Sequence, residues 1–459
     1  MAPRKSFRIG RVRGDLRSSV WYLTYHDQGR RHRPRVGPDQ QTARQLAAQI
    51  NGQLETGAPA ALSFEPILIG ELQQRWLDHH EQVLRSSVHT ISRYRTASAH
   101  LLRFIAGTGC TSSTAQFRTT HAEQFVRWLR TIRVTPNGHP NSQKRPLLDK
   151  GIKYILQCCR SLFQFAIRRR HLSPYAENPF TALDLDRIPV ENSRRVVIFT
   201  ADQERAFLEA CDSWQFPLFL TLMLTGLRPG ELTHLLLPDD LDLDEAVLRV
   251  RNKPELGWQV KTRNERTIPL IGPLVDALRS TLGSRCQGPV FRRRRFSREQ
   301  PLLPNAGPGS MEREINSRIA LAEAEAGAVL SRQDRLRIAR TVWRDAGMVK
   351  SEQIRKEFMR LTRTIGLPHM TAPKSLRHLF ATCLQDANVD PLIRCELMGH
   401  TTGTNSAASH GLGMTANYTQ TRFETKRRQL EQALLPRPAV EVARARTDNG
   451  VRRSPANSN

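Results

Sequence analysis

Acidic residues are scarce in this 459-residue chain: 43 Asp and Glu face 70 Lys and Arg, a formal net charge of +27. Such an imbalance excludes an ordinary near-neutral enzyme and points to a polyanion, either nucleic acid or an acidic membrane surface. Long apolar runs are missing as well. The best, Phe216 to Leu227, has 12 residues and two Thr, short of the roughly 18–20 residues of a membrane-spanning helix. The opening MAPRKSFRIGRVRG has basic residues but no apolar stretch, so no secretory signal is expected. The seven Cys (Cys110, Cys158, Cys159, Cys211, Cys286, Cys383 and Cys395) form no C-x-x-C pair. Neither a zinc site nor a disulfide framework is supported, and thiols in a reducing, cytoplasmic compartment are expected. Only six Tyr are present.

What the chain does have is 39% hydrophobic residues, enough for real cores. Its length suggests two to four domains at ~100–200 residues each. The positive charge runs along the whole chain rather than along one amphipathic helix, which favours nucleic acid over a membrane.

Residues 1–60 carry eleven Lys/Arg against four Asp/Glu. Ser19 to Tyr25 and Arg30 to Val36 read as strands around the turn His26 to Gly29, and Thr42 to Leu54 as a helix. A small sheet bearing Arg31, Arg33 and Arg35 suits insertion into a DNA groove, although a solvated basic appendage would look similar. Gly57 to Pro66 is a linker. From 67 to 187 the periodicity is helical throughout. It is clearest in Ile152, Ile155, Leu156, Cys159, Leu162, Phe163, Ala166 and Ile167. That helix ends in Arg168, Arg169 and Arg170, cations that suit the helix dipole and a phosphate alike. A larger region, 198–435, opens on Thr200-Ala-Asp-Gln-Glu204, a helix start. It holds two strand signals, Ala246 to Arg251 and Trp258 to Pro269, the latter broken by Thr262 to Glu265. Residues 436–459 read as a disordered basic tail.

Four stretches carry chemistry. LMLTGLRPGELTHLL (222–236) places Arg228 at a helix start, beside free N–H groups, with Glu231 one turn on to fix its guanidinium. An ordinary helical elbow would leave the same pattern. TAPKSLRHLFATCL (371–384) puts Lys374 and Arg377 on one helix face opposite Leu376, Phe380 and Leu384. CELMGH places His400 after a helix-ending Gly. Tyr418 stands in the polar MTANYTQT, before a helix from about Arg422 to Leu435.

In this order, with Lys261 in VKT between the two arginine boxes, the set resembles the tyrosine recombinase (phage integrase) family. The spacings are 33 residues from Arg228 to Lys261, 116 to Arg377, 23 to His400 and 18 to Tyr418. The resemblance implies a mainly α fold with small β-sheets. It has an N-terminal arm-type β-β-α domain (1–60), an all-α SAM-like core-binding domain (67–187) and an α+β catalytic domain (198–435). It also implies a mechanism. Tyr418 attacks a scissile phosphate of double-stranded DNA and forms a 3′-phosphotyrosine, so neither ATP, metal nor any other cofactor is needed. Arg228 and Arg377 bind the non-bridging oxygens. Lys261, on a β-hairpin, protonates the leaving 5′-oxygen. His400 hydrogen-bonds the phosphate, Glu231 supports the site from behind, and a homotetramer acts on paired sites.

Three features depart from the family pattern. Lys374 stands where the family usually has His, which leaves open what deprotonates Tyr418. The interval from His400 to Tyr418 is long and rich in Thr, Ser, Ala and Gly, compatible with delivery in cis or in trans. Residues 292–366 read as a helical insertion opening on the run Arg292 to Arg295, an extra DNA contact. The C-terminal helix is the candidate for packing against a neighbouring subunit. A DNA-binding protein without catalysis, or a type IB-like topoisomerase, are the alternative readings.

Overall fold

The computed structural model describes residues 5–27, 29–56, 64–135, 141–172, 176–189, 197–400 and 421–452. The chain is mainly helical with small antiparallel sheets and divides into two compact units, Met1–Ser193 and Arg194–Asn459.

The first unit opens with β1 (Ser6–Ile9), β2 (Val12–Arg17), β3 (Val20–Asp27), β4 (Arg30–His32) and β5 (Arg35–Gly37). They pair in the order β1-β2-β3-β4, with β5 also on β3. Trp21, Leu23 and Tyr25 alternate inward along β3, as a period of two requires. They meet Ala43, Ala47 and Ile50 of α1 (Gln40–Glu55), whose start is capped by the Asp39 carboxylate. Two of these strands, β1 and β2, escape the sequence reading. Their inward residues Phe7 and Val12 are diluted by Arg and Gly. Gly14 is itself structural, since a Cβ there would lie 2.4 Å from the Phe7 ring. The expected strand Arg30 to Val36 is two strands, interrupted at Arg33 and Pro34.

A helical region follows: α2 (Ile69–Asp78), a π-helical turn (His79–Val83), α3 (Val88–Thr108), α4 (Thr119–Thr131), and α5 (Asp149–Arg168). A two-residue ribbon, β6 (Arg133–Val134) with β7 (Arg145–Pro146), precedes α5. The stripe of α5 from Ile152 to Ala166 is buried against Trp76, Leu101, Phe104 and Phe125. Buried His171 closes the region, its Nδ1 3.1 Å from the Glu65 carbonyl while its own carbonyl accepts from Thr114 Oγ1 at 2.7 Å.

In the second unit α6 (Ala201–Glu209) starts at the capping box of Thr200 and Gln203. The wholly buried α7 (Gln215–Thr225) runs through the core. Next come α8 (Pro229–Thr233), β8 (Leu236–Leu237), β9 (Leu241–Asp242), β10 (Val247–Val250), β11 (Arg266–Pro269), α9 (Gly272–Leu282) and β12 (Gly288–Pro289). β10 is the centre of the sheet β11-β10-β9, and β12 pairs with β8. The remainder is helical: α10 (Pro308–Ala326), α11 (Arg332–Asp345), α12 (Ser351–Thr364), α13 (Lys374–Asp386), α14 (Pro391–Met398), α15 (Phe423–Leu434) and α16 (Pro438–Arg452).

Several expectations are corrected here. Trp258 to Val260 is no strand, because Pro254 and Gly257 (φ 70°) turn the chain, and β11 begins only at Arg266. The supposed insertion is not uniform. Helices α10 and α11 surround a small core of their own with Leu256 and Trp343, whereas α12 sends Ile354, Phe358 and Leu361 into the main core. The run from Arg292 is half-buried over its first three residues and exposed at Arg295. Arg292 and Arg293 donate to the carbonyls of Pro304 and Met348, and Arg294 pairs with Asp212 at 2.5 Å over the Trp214 ring. α15 buries Leu430, Ala433 and Leu434 in its own core, so this face is not free for a neighbour.

The expected disordered tail is helix α16 as far as Arg452, with residues 453–459 outside the described set. Ala439, Val440 and Ala443 have helical spacing and are fully buried. Arg446 donates to the carbonyls of Leu208, Glu209 and Cys211, which end α6. Beneath lies a buried ion pair, Arg437 Nη2 to Glu204 Oε1 at 3.0 Å. Arg437 Nη1 also donates to the Met223 carbonyl, and Ala439 N to Glu204. Breaking a buried pair by removing one partner costs about 3–5 kcal/mol. Glu204→Ala is therefore expected to lower the stability of the second unit by that amount in equilibrium urea unfolding. A loss below about 1 kcal/mol would contradict the assignment of this pair as the dock for α16.

Candidate active site

The site forms where the ends of four helices meet. α7 stops at Gly226, in the left-handed region (φ 61°), where a Cβ would lie 2.3 Å from the Phe380 ring. Two residues on, Arg228 precedes Pro229 at the start of α8. Glu231 turns back: its Oε2 accepts from the Arg228 backbone N–H at 2.9 Å and its Oε1 from Arg228 Nη1 at 2.6 Å.

Glu231 has a second guanidinium partner. Arg266, at the first position of β11, donates Nη2 to Glu231 Oε2 at 2.6 Å and Nη1 to Oε1 at 3.3 Å. Its Nε donates to the Leu397 carbonyl at 2.9 Å. The pair is closed to solvent, with side-chain exposures of 4% and 3%. Burial alone would push the Glu231 carboxyl up. The Arg266 fork and charge, then the Arg228 donors, outweigh that and hold it below the usual carboxylate range.

Arg377 comes from the first turn of α13. Its Nη1 donates to the Gly226 carbonyl at 2.6 Å and its Nη2 to the Met398 carbonyl, joining the ends of α7 and α14. Burial, then the nearby charges of Arg228 and Arg266, bring it down to about 9, with Glu231 opposing. It remains cationic at neutral pH. Three guanidiniums thus lie near one carboxylate, two paired with it and Arg377 held by carbonyls, a formal excess of two positive charges in a largely buried place. Such an arrangement favours an anion that accepts bidentate hydrogen bonds.

His400 follows Gly399, again left-handed (φ 61°), where a Cβ would lie 2.8 Å from Arg266 Nη1. Its ring is on the exposed side, with Nε2 3.4 Å from Arg377 Nη2. An arginine only donates, so this contact puts the imidazole proton on Nδ1. Partial burial, then Arg377, Arg228 and Arg266, hold His400 below its ordinary value.

The structure therefore brings Arg228, Glu231, Arg377 and His400 together. Lys374 is at the first residue of α13, but exposed while Arg377 is buried. The two do not share a solvent face, because Arg377 turns inward beside Leu376 and Phe380. Lys261 is exposed and sits on a turn, not on a strand. Thr262 Oγ1, on that turn, lies 3.4 Å from the Gly399 carbonyl. Tyr418 and the segment 401–420 lie outside the described residues. In the first unit, the registers put Arg31 opposite His26 and Arg35 opposite Tyr22, on the face of β3 away from its core. Arg33 stacks over the Tyr22 ring at 5.7 Å. Arg168, Arg169 and Arg170 are exposed at the end of α5, with Arg169 over Phe165.

The residue missed from sequence is Arg266. Its signal was the strand period: Arg266 and Ile268 share a face, and Ile268 is buried. An arginine at an inward position needs a buried acid.

Residues 198–424 match the profile of the phage integrase family. This region is a phage integrase, or tyrosine recombinase, family domain. No curated protein matches the chain. Among solved structures, the Tn1549 transposon integrase in complex with circular intermediate DNA is 19% identical, covering 81% of this chain and 100% of that chain with a TM-score of 0.49. A lambda integrase tetramer bound to a Holliday junction is 17% identical, covering 85% and 98% with a TM-score of 0.46. An integrase from mycobacterium phage Brujita is 15% identical, covering 81% and 97% with a TM-score of 0.33.

The electrostatics are testable directly. His400 is expected to titrate below 6.5 by NMR, and its midpoint to rise in Arg266→Ala, which removes one repelling cation. A midpoint above 6.5 in the parent protein would contradict the cationic surroundings described.

Proposed function

We propose that the protein is a site-specific integrase that cuts and rejoins double-stranded DNA through a 3′-phosphotyrosine. The observation that carries this reading is the pairing of Arg228 and Arg266 with Glu231 near the buried Arg377, with a net positive charge beside His400. The Tyr418 oxygen attacks phosphorus as the bond to the 5′-oxygen breaks, leaving a phosphotyrosine and a 5′-hydroxyl. A 5′-hydroxyl from the partner duplex then reverses the step, so bond energy is conserved. Arg228 and Arg377 neutralise the non-bridging oxygens, where charge gathers in the transition state. Arg266 holds the carboxylate that holds Arg228. His400 and Lys374 hydrogen-bond the phosphate, and Lys261 gives the leaving oxygen its proton.

The outward arginines of the N-terminal sheet (Arg31, Arg33, Arg35) and those ending α5 (Arg168, Arg169, Arg170) support arm-type and core-binding roles for 1–60 and 67–187. They contact phosphates and make affinity fall steeply with salt, by about 0.9 in log K per log salt for each phosphate neutralised. Exchange between two duplexes needs four strand cleavages, one tyrosine each, hence a homotetramer on paired sites.

The test is a duplex nicked next to the scissile bond, which traps the covalent complex. The parent protein is expected to become covalently linked, and Tyr418→Phe to bind DNA without an adduct. An adduct with Tyr418→Phe overturns the nucleophile. Binding without any adduct in the parent identifies a DNA-binding protein without catalysis, and relaxation of plasmids lacking a specific site identifies a topoisomerase.

A further inference from the structure

An exposed lysine on a turn has no strand ladder to hold it, and a general acid must be held within hydrogen-bond reach of its target. Lys261 is in that position. Two independent sets of contacts immobilise the loop that carries it.

The first is a single side chain. Asn252 Oδ1 accepts from the Val260 N–H at 2.9 Å, and its Nδ2 donates to the Arg263 carbonyl at 3.0 Å. Val260 and Arg263 are themselves joined, Arg263 N donating to the Val260 carbonyl at 2.9 Å. Lys261 and Thr262 are the two central residues of this turn. One amide therefore ties both ends of the turn, and the Asn252 N–H is anchored on Glu265 Oε1 at 2.8 Å.

The second lies at the other end of the loop, on the α10–α11 hairpin. Buried Trp343 of α11 donates Nε1 to the Leu256 carbonyl at 2.9 Å. Leu256 is fully buried in the same small core as Met311 and Ile315 of α10. At Gly257 a Cβ would lie 2.7 Å from the Ala339 Cβ, so helix and loop touch without room for a side chain. Between these points Lys253 and Trp258 exchange backbone hydrogen bonds, each 3.0 Å, and Lys253 Nζ lies 2.7 Å from buried Asp240.

We infer that Asn252 and the α10–α11 hairpin, through Trp343, are positioning elements for Lys261. They touch neither DNA nor the reacting atoms in this account. They fix the turn from which Lys261 reaches the leaving oxygen. The inference rests on the proposed role of Lys261 as general acid.

The experiment compares single-turnover cleavage of a nicked duplex with an ordinary 5′-bridging oxygen and one with sulfur there. A thiol is acidic enough, with a pKa of about 8.5, to leave as thiolate, whereas an alkoxide needs the proton. Asn252→Ala and Trp343→Phe are each expected to slow the oxygen substrate by about 10- to 100-fold, the size of effect that misplacing a reacting group by about 1 Å produces. Both are expected to cleave the sulfur substrate within about threefold of the parent protein, at unchanged DNA affinity; full-strength cleavage of that substrate also shows that the variants fold. Equal slowing on both substrates, or no slowing on either, overturns the inference. Lys261→Ala is the control for the role it rests on. If sulfur does not rescue that variant, the general-acid reading fails and the inference falls with it. If sulfur rescues Lys261→Ala but neither positioning variant, only the positioning inference fails.

Discussion

The carboxylate of Glu231 is the interaction on which the second unit's site depends. It is buried and ionised, and two guanidiniums grip it from different elements, Arg228 from the start of α8 and Arg266 from the start of β11. A carboxylate without those partners would be too costly to bury, and two arginines without the carboxylate would repel each other. Arg377 adds a third cation held by carbonyls rather than by an acid. The site is thus under-neutralised by construction, and in the proposed reaction a phosphodiester would supply what is missing. The backbone serves the same end. Gly226 and Gly399 end two helices in the left-handed region, and each lies where a side chain would strike Phe380 or Arg266. Both turns let the chain pass close to the guanidiniums.

The net charge of +27 has a divided meaning once side chains are placed. Many arginines are internal donors. Arg437 pairs with Glu204, Arg446 caps α6, and Arg292, Arg293 and Arg294 stitch the chain before α10 onto its surroundings. These side chains are already engaged by acids or carbonyls, Arg437 in a buried pair and the others partly exposed. A guanidinium has five donors and suits carbonyl clusters at helix ends as well as phosphates. Composition alone cannot separate those uses.

Much of the fold was legible because periodicity reports burial. The α5 stripe, the inward residues of β3 and the Thr200 capping box follow from spacing and side-chain chemistry. The Arg228–Glu231 contact follows from one helical turn. What escaped did so for identifiable reasons. Strands β1 and β2 hide their two inward residues among Arg and Gly. α16 was masked by its flanking Pro, although Pro438 sits at the first turn where proline is tolerated. Lys261 follows the β-prone Trp258 to Val260, a strand preference that Gly257 and Pro254 overrule. Arg266 was hidden because its partner is distant in sequence and the pairing is visible only in three dimensions.

The central claim is that Glu231 acts by holding two arginines in place, not by tuning the sum of charge. Glu231→Gln separates the two, since it keeps the shape, removes the shared anchor and raises the positive charge of the pocket by one. Covalent trapping on the nicked duplex is the measurement. Positioning predicts trapping slower by about 100-fold with DNA binding retained. Trapping at the parent rate or faster would show that total charge, rather than the arrangement around this carboxylate, drives the reaction.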